Sequence, residues 1–158
     1  MKPDPDVKLD DLYQDVILDH YRRPRNRREM ADADHRAEGN NPLCGDHVTI
    51  FLKIEGGIVK EVTFQGGGCA ISTASASLMT EVLRGKTLDE AKATFKRFHG
   101  LVTGEPRESS EPRGLGKLEV FSGICHYPAR VKCATLAWHT LDAALRDDGR
   151  PEDVVSTE

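Results

Sequence analysis

A few residues in this chain combine types and spacings that can do chemistry. Cys44 and Asp46 sit two apart around a glycine in NPLCGDHVTIF, where a strand-like run begins. In extended backbone such residues face one side, so a sulfur and a carboxylate could be presented to a single point. Cys69 closes the run GGGC and opens a helical pattern, and Cys133 lies in the second turn of another. Thiolates with a carboxylate suit a tetrahedral zinc ion, and three thiolates with one oxygen ligand could also hold an iron-sulfur cluster. These are not paired C-x-x-C knuckles, and a single buried cysteine can be just a small hydrophobe. Spacing alone therefore leaves a metal site and a reactive-thiol site open.

The elements around these residues must bring them together. Val48, Ile50, Leu52 and Ile54 alternate with mostly polar neighbours, Gly56-Gly57 interrupts, and Val62 and Phe64 resume the alternation, which predicts a β-hairpin. Cys44 lies 12 residues before Gly56 and Cys69 lies 12 after Gly57, so symmetric pairing brings both to one end of the sheet. Ile71, Ala74, Ser75, Leu78, Met79, Val82 and Leu83 form a helical stripe ended by Gly85. Cys69 is thus placed at a helix N-terminus, where free N–H groups lower a thiol's pKa. Thr87 and Glu90 predict a capping box for a helix that buries Leu88, Ala91, Phe95 and Phe98. Pro128 starts the last long helix, with Val131, Thr135, Trp138, Leu141 and Leu145 on one face; packed on the sheet, it could deliver Cys133 as a fourth ligand.

The rest of the chain carries less chemistry. From Leu9 to Tyr21 the positions Leu12, Tyr13, Val16, Ile17 and Tyr21 predict an amphipathic helix ending near Pro24. The basic stretch RRPRNRR at 22 to 28 reads as an exposed loop or extended arm, and 103 to 116 as a mobile loop before a short helix at 117 to 123. Residues 147 to 158 read as a frayed tail. Cys125 lies eight residues before Cys133, beyond a proline, and reads as a bystander; the pair does not resemble a C-x-x-C redox motif. His47, His99, His126 and His139 are given no ligand role.

A chain of 158 residues is about one domain long, and 30% charged with 38% hydrophobic residues is the composition of an ordinary soluble globule. No apolar run approaches a membrane span, and the net charge of -4 argues against general nucleic-acid affinity. The start MKPDPDVKLDD has no hydrophobic core to act as a signal peptide, so a cytoplasmic location is expected. There, four cysteines serve metal binding or reactivity rather than disulfides.

Four blocks in order, DLYQDVILDHYRRPRN (11 to 26), NPLCGD (41 to 46), GGGCAISTASASLMTE (66 to 81) and YPARVKCATLAWHTL (127 to 141), resemble the U-type iron-sulfur cluster assembly family of SufU, IscU and the N-terminal domain of NifU. The resemblance covers the chain from Leu9 to Leu145. It implies an α+β fold, a small antiparallel sheet packed against several helices, as one domain over 1 to 158 with its core at about 9 to 146. It also implies that Cys44, Asp46, Cys69 and Cys133 bind metal. Lys132 in place of a histidine before the last cysteine, and a longer segment between Cys69 and Cys133, resemble the SufU branch. The segment YPARVKC lacks the Leu-Pro-Pro-Val-Lys motif by which IscU is handed to its chaperone, and the arm ends in Arg27-Arg28 where the family has a glycine.

The function so implied is iron-sulfur cluster biogenesis, with this chain a zinc-dependent sulfur acceptor from a SufS-type, pyridoxal-phosphate-dependent cysteine desulfurase. Cys44 is then the reacting thiolate, and Arg130 and the arm residues Arg22, Arg23 and Arg25 are candidate partner contacts. On this reading the chain is a persulfide carrier rather than a stand-alone enzyme. One alternative is a scaffold that builds a transient 2Fe-2S cluster, or holds iron, for delivery to apo-protein acceptors. Another, of a different class, is a zinc-stabilised interaction module without sulfur chemistry.

Overall fold

The computed structural model describes residues 5–105, 114–146 and 154–156. Its elements in chain order are α1 (Pro5–Arg22), β1 (His35–Asn41), β2 (Asp46–Glu55), β3 (Ile58–Gly67), α2 (Ala70–Leu83), α3 (Leu88–Thr103), a 3-10 helix (Gly116–His126), α4 (Pro128–Leu145) and β4 (Val154–Ser156). The sheet order is β3-β2-β1-β4. The three long strands are antiparallel, while β4 runs parallel to β1, so the sheet is mixed at that edge. The fold is α+β, as expected.

The predicted hairpin is β2 with β3, turning at Gly56 and Gly57, whose φ values of 59° and 75° are the left-handed ones a tight two-residue turn demands. Its register pairs His47 with Gly67, which puts the start of β2 beside the residues leading into α2. The far edge of β3 is covered rather than open. Gly85 N–H donates to Val59 O and Val59 N–H to Lys86 O, and the segment after α1 bridges to Phe64.

Strand β1 has no counterpart in the sequence reading. Its inward positions are Ala37, Gly39 and Asn41, which give no hydrophobic alternation. The small residues are needed because α4 lies directly on the strand: a Cβ at Gly39 would stand 2.1 Å from Thr140 Oγ1 and 3.1 Å from Leu136 Cδ1. Contact on both sides makes α4 central. It packs on β1 and β2 and against α2, α3 and the 3-10 helix, and buries Cys133, Ala134, Leu136, Trp138 and Leu141 among others, more than the single face expected. Trp138 stacks on Phe98 with ring centroids 4.7 Å apart, and its Nε1–H donates to Ser75 Oγ at 3.1 Å, so its polar edge is satisfied in the core. Burying each such side chain contributes about 1.5 to 3 kcal/mol.

Other expectations are met or revised. The capping box is present, with Glu90 N–H donating to Thr87 Oγ1 and Thr87 N–H to Glu90 Oε1. On α1, Val16 and Ile17 pack on the core, but Tyr21 is 44% exposed because the helix ends one residue later and turns away. The arm is strapped down rather than free: Arg25 N–H donates to Ser77 Oγ, Asn26 Nδ2 to Thr80 Oγ1, and Phe64 N–H to Asn26 O. The expected frayed tail is corrected at Val154–Ser156, which pairs with Glu38, Gly39 and Asn40. Of the loop expected at 103 to 116, Thr103 ends α3 and Gly104 caps it in the left-handed conformation; residues 106–113 lie outside the described residues.

Candidate metal and thiol centre

Cys44 does not reach the site by strand alternation. It lies in the turn between β1 and β2, closed by Cys44 N–H donating to Asn41 O at 3.2 Å. Gly45 follows with φ at 69° and nothing within 4 Å of where a Cβ would be, so the glycine is there for its conformation rather than for a close approach. Asp46 then opens β2 and is only 2% exposed. The requirement for close approach falls instead on Gly68, where a Cβ would stand 2.0 Å from Asp46 Oδ1 and 2.9 Å from Asp46 Cα.

Cys69 is the N-cap of α2, and its sulfur accepts from Ser72 N–H at 3.4 Å. Its own N–H donates to Asp46 Oδ1 at 2.8 Å, and its sulfur lies 3.8 Å from Asp46 Oδ2. Cys133 arrives from below on α4, fully buried, with its sulfur 3.3 Å from that of Cys44. The donor atoms of Cys44, Asp46 and Cys133 all lie within 4.8 Å of one another. Four residues from a turn, a strand, a helix cap and a helix interior are thus brought to one end of the sheet.

Proton sharing sets their charge. A hydrogen bond from Cys133, together with the N–H groups of Ser72 and Ile71, outweighs burial and the nearby Asp46, and brings the Cys69 thiol down to about 6. Cys133 is pushed up by that same hydrogen bond and by burial, so the proton stays on Cys133 and the charge on Cys69. Arg130, exposed at the start of α4, is held above its ordinary value first by the charge of Cys69, then by a hydrogen bond to Cys133 and the charges of Cys133 and Cys44.

The donor set fits a metal ion. Zinc–sulfur bonds of about 2.3 Å in a tetrahedron put donor atoms roughly 3.3 to 3.8 Å apart; Cys133 to Cys44 at 3.3 Å and Cys69 to Asp46 at 3.8 Å match this, while Cys69 stands outside the mutually close group of Cys44, Asp46 and Cys133. The other candidates lie elsewhere. Arg25 pairs with Asp19 at 2.6 Å and Arg23 with Asp19 at 3.7 Å, while Arg22 is exposed at the end of α1. Cys125 contacts Ser122 O and the backbone region of Gly104, apart from the cluster. His47 pairs with Asn40, and His99 and His139 pack edge-on against Phe95.

Two residues that the sequence reading passed over belong to the site. Asn41, fully buried, donates from Nδ2 to Cys133 Sγ at 3.5 Å. Gly68 leaves room for the Asp46 carboxylate. The only sequence signal for either is adjacency to the cysteines, in NNPLC and GGGC. An apolar groove of about 560 Å³ opens at the start of α2, lined by Ala70, Ile71, Ile17, Leu18, Ile124 and Tyr127 among others.

Together these features define an α+β domain with a clustered three-cysteine, one-aspartate centre. Comparison with known proteins gives that class its family. Residues 12–146 match the model of the NifU-like N terminal domain, and the chain belongs to that family. It is 41% identical to the zinc-dependent sulfurtransferase SufU of Bacillus subtilis (strain 168) over 139 residues, covering 88% of this chain and 92% of the relative. It is 37% identical to the iron-sulfur cluster assembly scaffold protein IscU of Streptococcus pyogenes serotype M1, covering 88% and 86%. Among solved structures, FiSufU from Fervidobacterium islandicum AW-1 superposes with a TM-score of 0.77 at 35% identity, over 82% of this chain and 93% of that one. A NifU-like N-terminal domain from Brucella abortus gives 0.76 at 26% identity, over 87% and 94%.

Proposed function

We propose that this chain serves iron-sulfur cluster biogenesis as a zinc-dependent sulfur acceptor, taking sulfur from the persulfide of a SufS-type cysteine desulfurase. The observation that carries the reading is the unequal mounting of the four donors. Asp46 and Cys133 are 2% and 0% exposed, and Cys69 is fixed as a helix cap. Cys44 alone sits on a surface turn, between Leu43, 66% exposed, and Gly45. Three donors are built into a strand, a helix cap and a helix interior, and Cys44 alone is carried by a turn.

Cys44, Asp46, Cys69 and Cys133 would hold zinc, which when bound keeps ligating thiols deprotonated at neutral pH. In the transfer, the Cys44 thiolate attacks the terminal sulfur of the donor's R–S–SH group. The donor's S–S bond breaks, its cysteine leaves as a thiolate, and the new S–S bond makes Cys44 a persulfide. One electron pair enters the transferred sulfur and one departs, so no external oxidant or reductant is needed. Arg130 supplies a cation whose charge is felt by the sulfurs and attracts an anionic persulfide, and Arg22 and Arg23 are exposed to a partner, Arg23 while paired with Asp19. Arg25, bound to Asp19 and Ser77, holds the arm instead.

A cytoplasmic setting suits four unpaired thiols. Among the described residues no helix is long and apolar enough to cross a membrane. A second reading, a scaffold for a transient 2Fe-2S cluster, is favoured by the oxygen ligand Asp46 and by the names of the IscU relatives. Metal analysis and the visible spectrum of anaerobically purified protein separate the two. About one zinc per chain and no colour supports the acceptor; iron with sulfide and a brown solution supports the scaffold. With a desulfurase present, Cys44→Ser is expected to abolish stimulation of cysteine turnover, and full stimulation by that variant would sink the acceptor role.

A further inference from the structure

We infer that Asn41 is the positioning residue that decides which sulfur stays and which reacts. Its buried amide holds Cys133 as the retained, less nucleophilic thiolate and leaves Cys44 as the acceptor. This rests on the sulfur-acceptor reading above and adds to it a cause of selectivity between thiolates.

The amide is in an unusual position. Asn41 ends β1 at 0% exposure, and its Oδ1 is buried without a hydrogen-bond partner. An unpartnered buried carbonyl is costly and calls for a compensating role. The nitrogen supplies one, because Nδ2 donates to Cys133 Sγ at 3.5 Å. The amide presents its nitrogen and not its oxygen to Cys133, so the contact stays favourable when that sulfur loses its proton to become a ligand. A donor on a ligating sulfur draws off electron density and lowers its nucleophilicity, and partners of this kind tune a metal site strongly.

The same asymmetry runs through the whole donor set. Cys69 Sγ accepts from Ser72 N–H, Asp46 Oδ1 accepts from Cys69 N–H, and Cys133 Sγ accepts from Asn41. Among the described residues no N–H group donates to Cys44 Sγ; its partner is the Cys133 thiol, whose proton must depart when both sulfurs ligate. Asn41 also controls the turn, since its backbone carbonyl accepts from Cys44 N–H at 3.2 Å. One residue therefore damps the helix-borne sulfur through its side chain and carries the turn-borne one through its backbone.

The direct test uses the full wild-type chain, labelled with nitrogen-15 and loaded with one equivalent of cadmium-113. A hydrogen bond to a ligating sulfur transmits scalar coupling from the metal to the donor proton. Coupling is expected at one Asn41 side-chain amide proton and at the Ser72 backbone amide. Coupling at Ser72 with none at Asn41 overturns the inference while leaving the acceptor reading intact; failure of the cysteines to take up cadmium overturns that reading and this inference with it.

A second test uses Asn41→Leu, which keeps the branched side-chain skeleton with somewhat larger ends, removes the donor and also removes the unpartnered oxygen. Removing the unpartnered oxygen offsets the tighter packing, so the variant is expected to fold and take up zinc. In zinc-loaded protein treated with limiting alkylating agent, its ratio of Cys44 to Cys133 modification should fall by about 10-fold or more. An unchanged ratio in the folded, zinc-loaded variant means that burial alone protects Cys133, and overturns the assignment.

Discussion

Replacing Gly68 by alanine tests the site at the point where it is most tightly built. The new methyl would stand 2.0 Å from Asp46 Oδ1, 2.7 Å from Cγ and 2.9 Å from Cα. Swinging the carboxylate aside cannot relieve this clash, because the backbone atom is also too close. The carboxylate is moreover held by Cys69 N–H at 2.8 Å, so displacing it opens the hydrogen bond that ties β2 to the start of α2. Overpacking of this kind costs about 1 to 3 kcal/mol, and losing a hydrogen bond to a charged group about 1.5 to 3. Backbone and carboxylate of Asp46 must move together, so the two costs overlap rather than add and come to about 2 to 4 kcal/mol. At about 2 to 4 °C per kcal/mol for a chain of this size, Tm of the metal-free protein should fall by about 5 to 15 °C. Zinc affinity, read by competition with a chromophoric chelator, should fall at least about 10-fold, since a donor is displaced. Gly67→Ala is the control: its methyl meets only the end of the Arg27 side chain, at 3.3 Å, and should be nearly neutral. Wild-type Tm and zinc affinity in Gly68→Ala would refute the claim that Asp46 is wedged into a ligating position.

In reduced, metal-free protein, iodoacetamide should modify Cys69 ahead of Cys133 at neutral pH, with the Cys69 rate rising through pH about 6; preferential loss of Cys133 would contradict the proton placement. The depressed Cys69 value stabilises the metal-free fold increasingly as pH rises from about 6 toward the ordinary thiol pKa and is lost as pH falls through about 6; above the ordinary value the raised Cys133 offsets it. His20 and His139 are both lowered, chiefly by burial, so below about pH 6.5 the unfolded chain takes up protons that the fold refuses and stability declines. His20→Gln should flatten that decline in urea titrations between neutral and mildly acidic pH, whatever it does to stability at neutral pH; an identical slope counts against the assignment. Thr87→Ala removes the α3 cap and should cost about 1 kcal/mol in thermal unfolding while leaving zinc binding unchanged.

Much of this architecture was legible in the sequence because it rests on local signals. Gly56-Gly57 between alternating runs gives the hairpin, Thr87 with Glu90 gives a helix start, and equal spacing from that turn places Cys44 and Cys69 at one sheet end. What escaped depends on contacts between distant segments. Strand β1 buries Ala37, Gly39 and Asn41 because α4 leaves no room for larger groups, and no periodicity of one segment reports on the helix that will cover it. Tyr21 fits a helical stripe yet stays exposed, since its helix has run out of partner surface. Cys44 does lie near Asp46, but through a glycine turn rather than the strand alternation that the spacing suggests. The arm's basic residues suggest solvent, whereas its backbone and Asn26 are tied to Ser77, Thr80 and Phe64.

The central claim is that sulfur arrives on Cys44. The most direct measurement mixes the zinc-loaded chain with a SufS-type desulfurase and free cysteine, blocks the thiols, and maps persulfide by peptide mass spectrometry. Added sulfur is expected on the peptide bearing Cys44, with Cys69 and Cys133 unmodified. Persulfide on Cys69 or Cys133 with Cys44 unmodified, or none on any of the three while the desulfurase turns over, would contradict it.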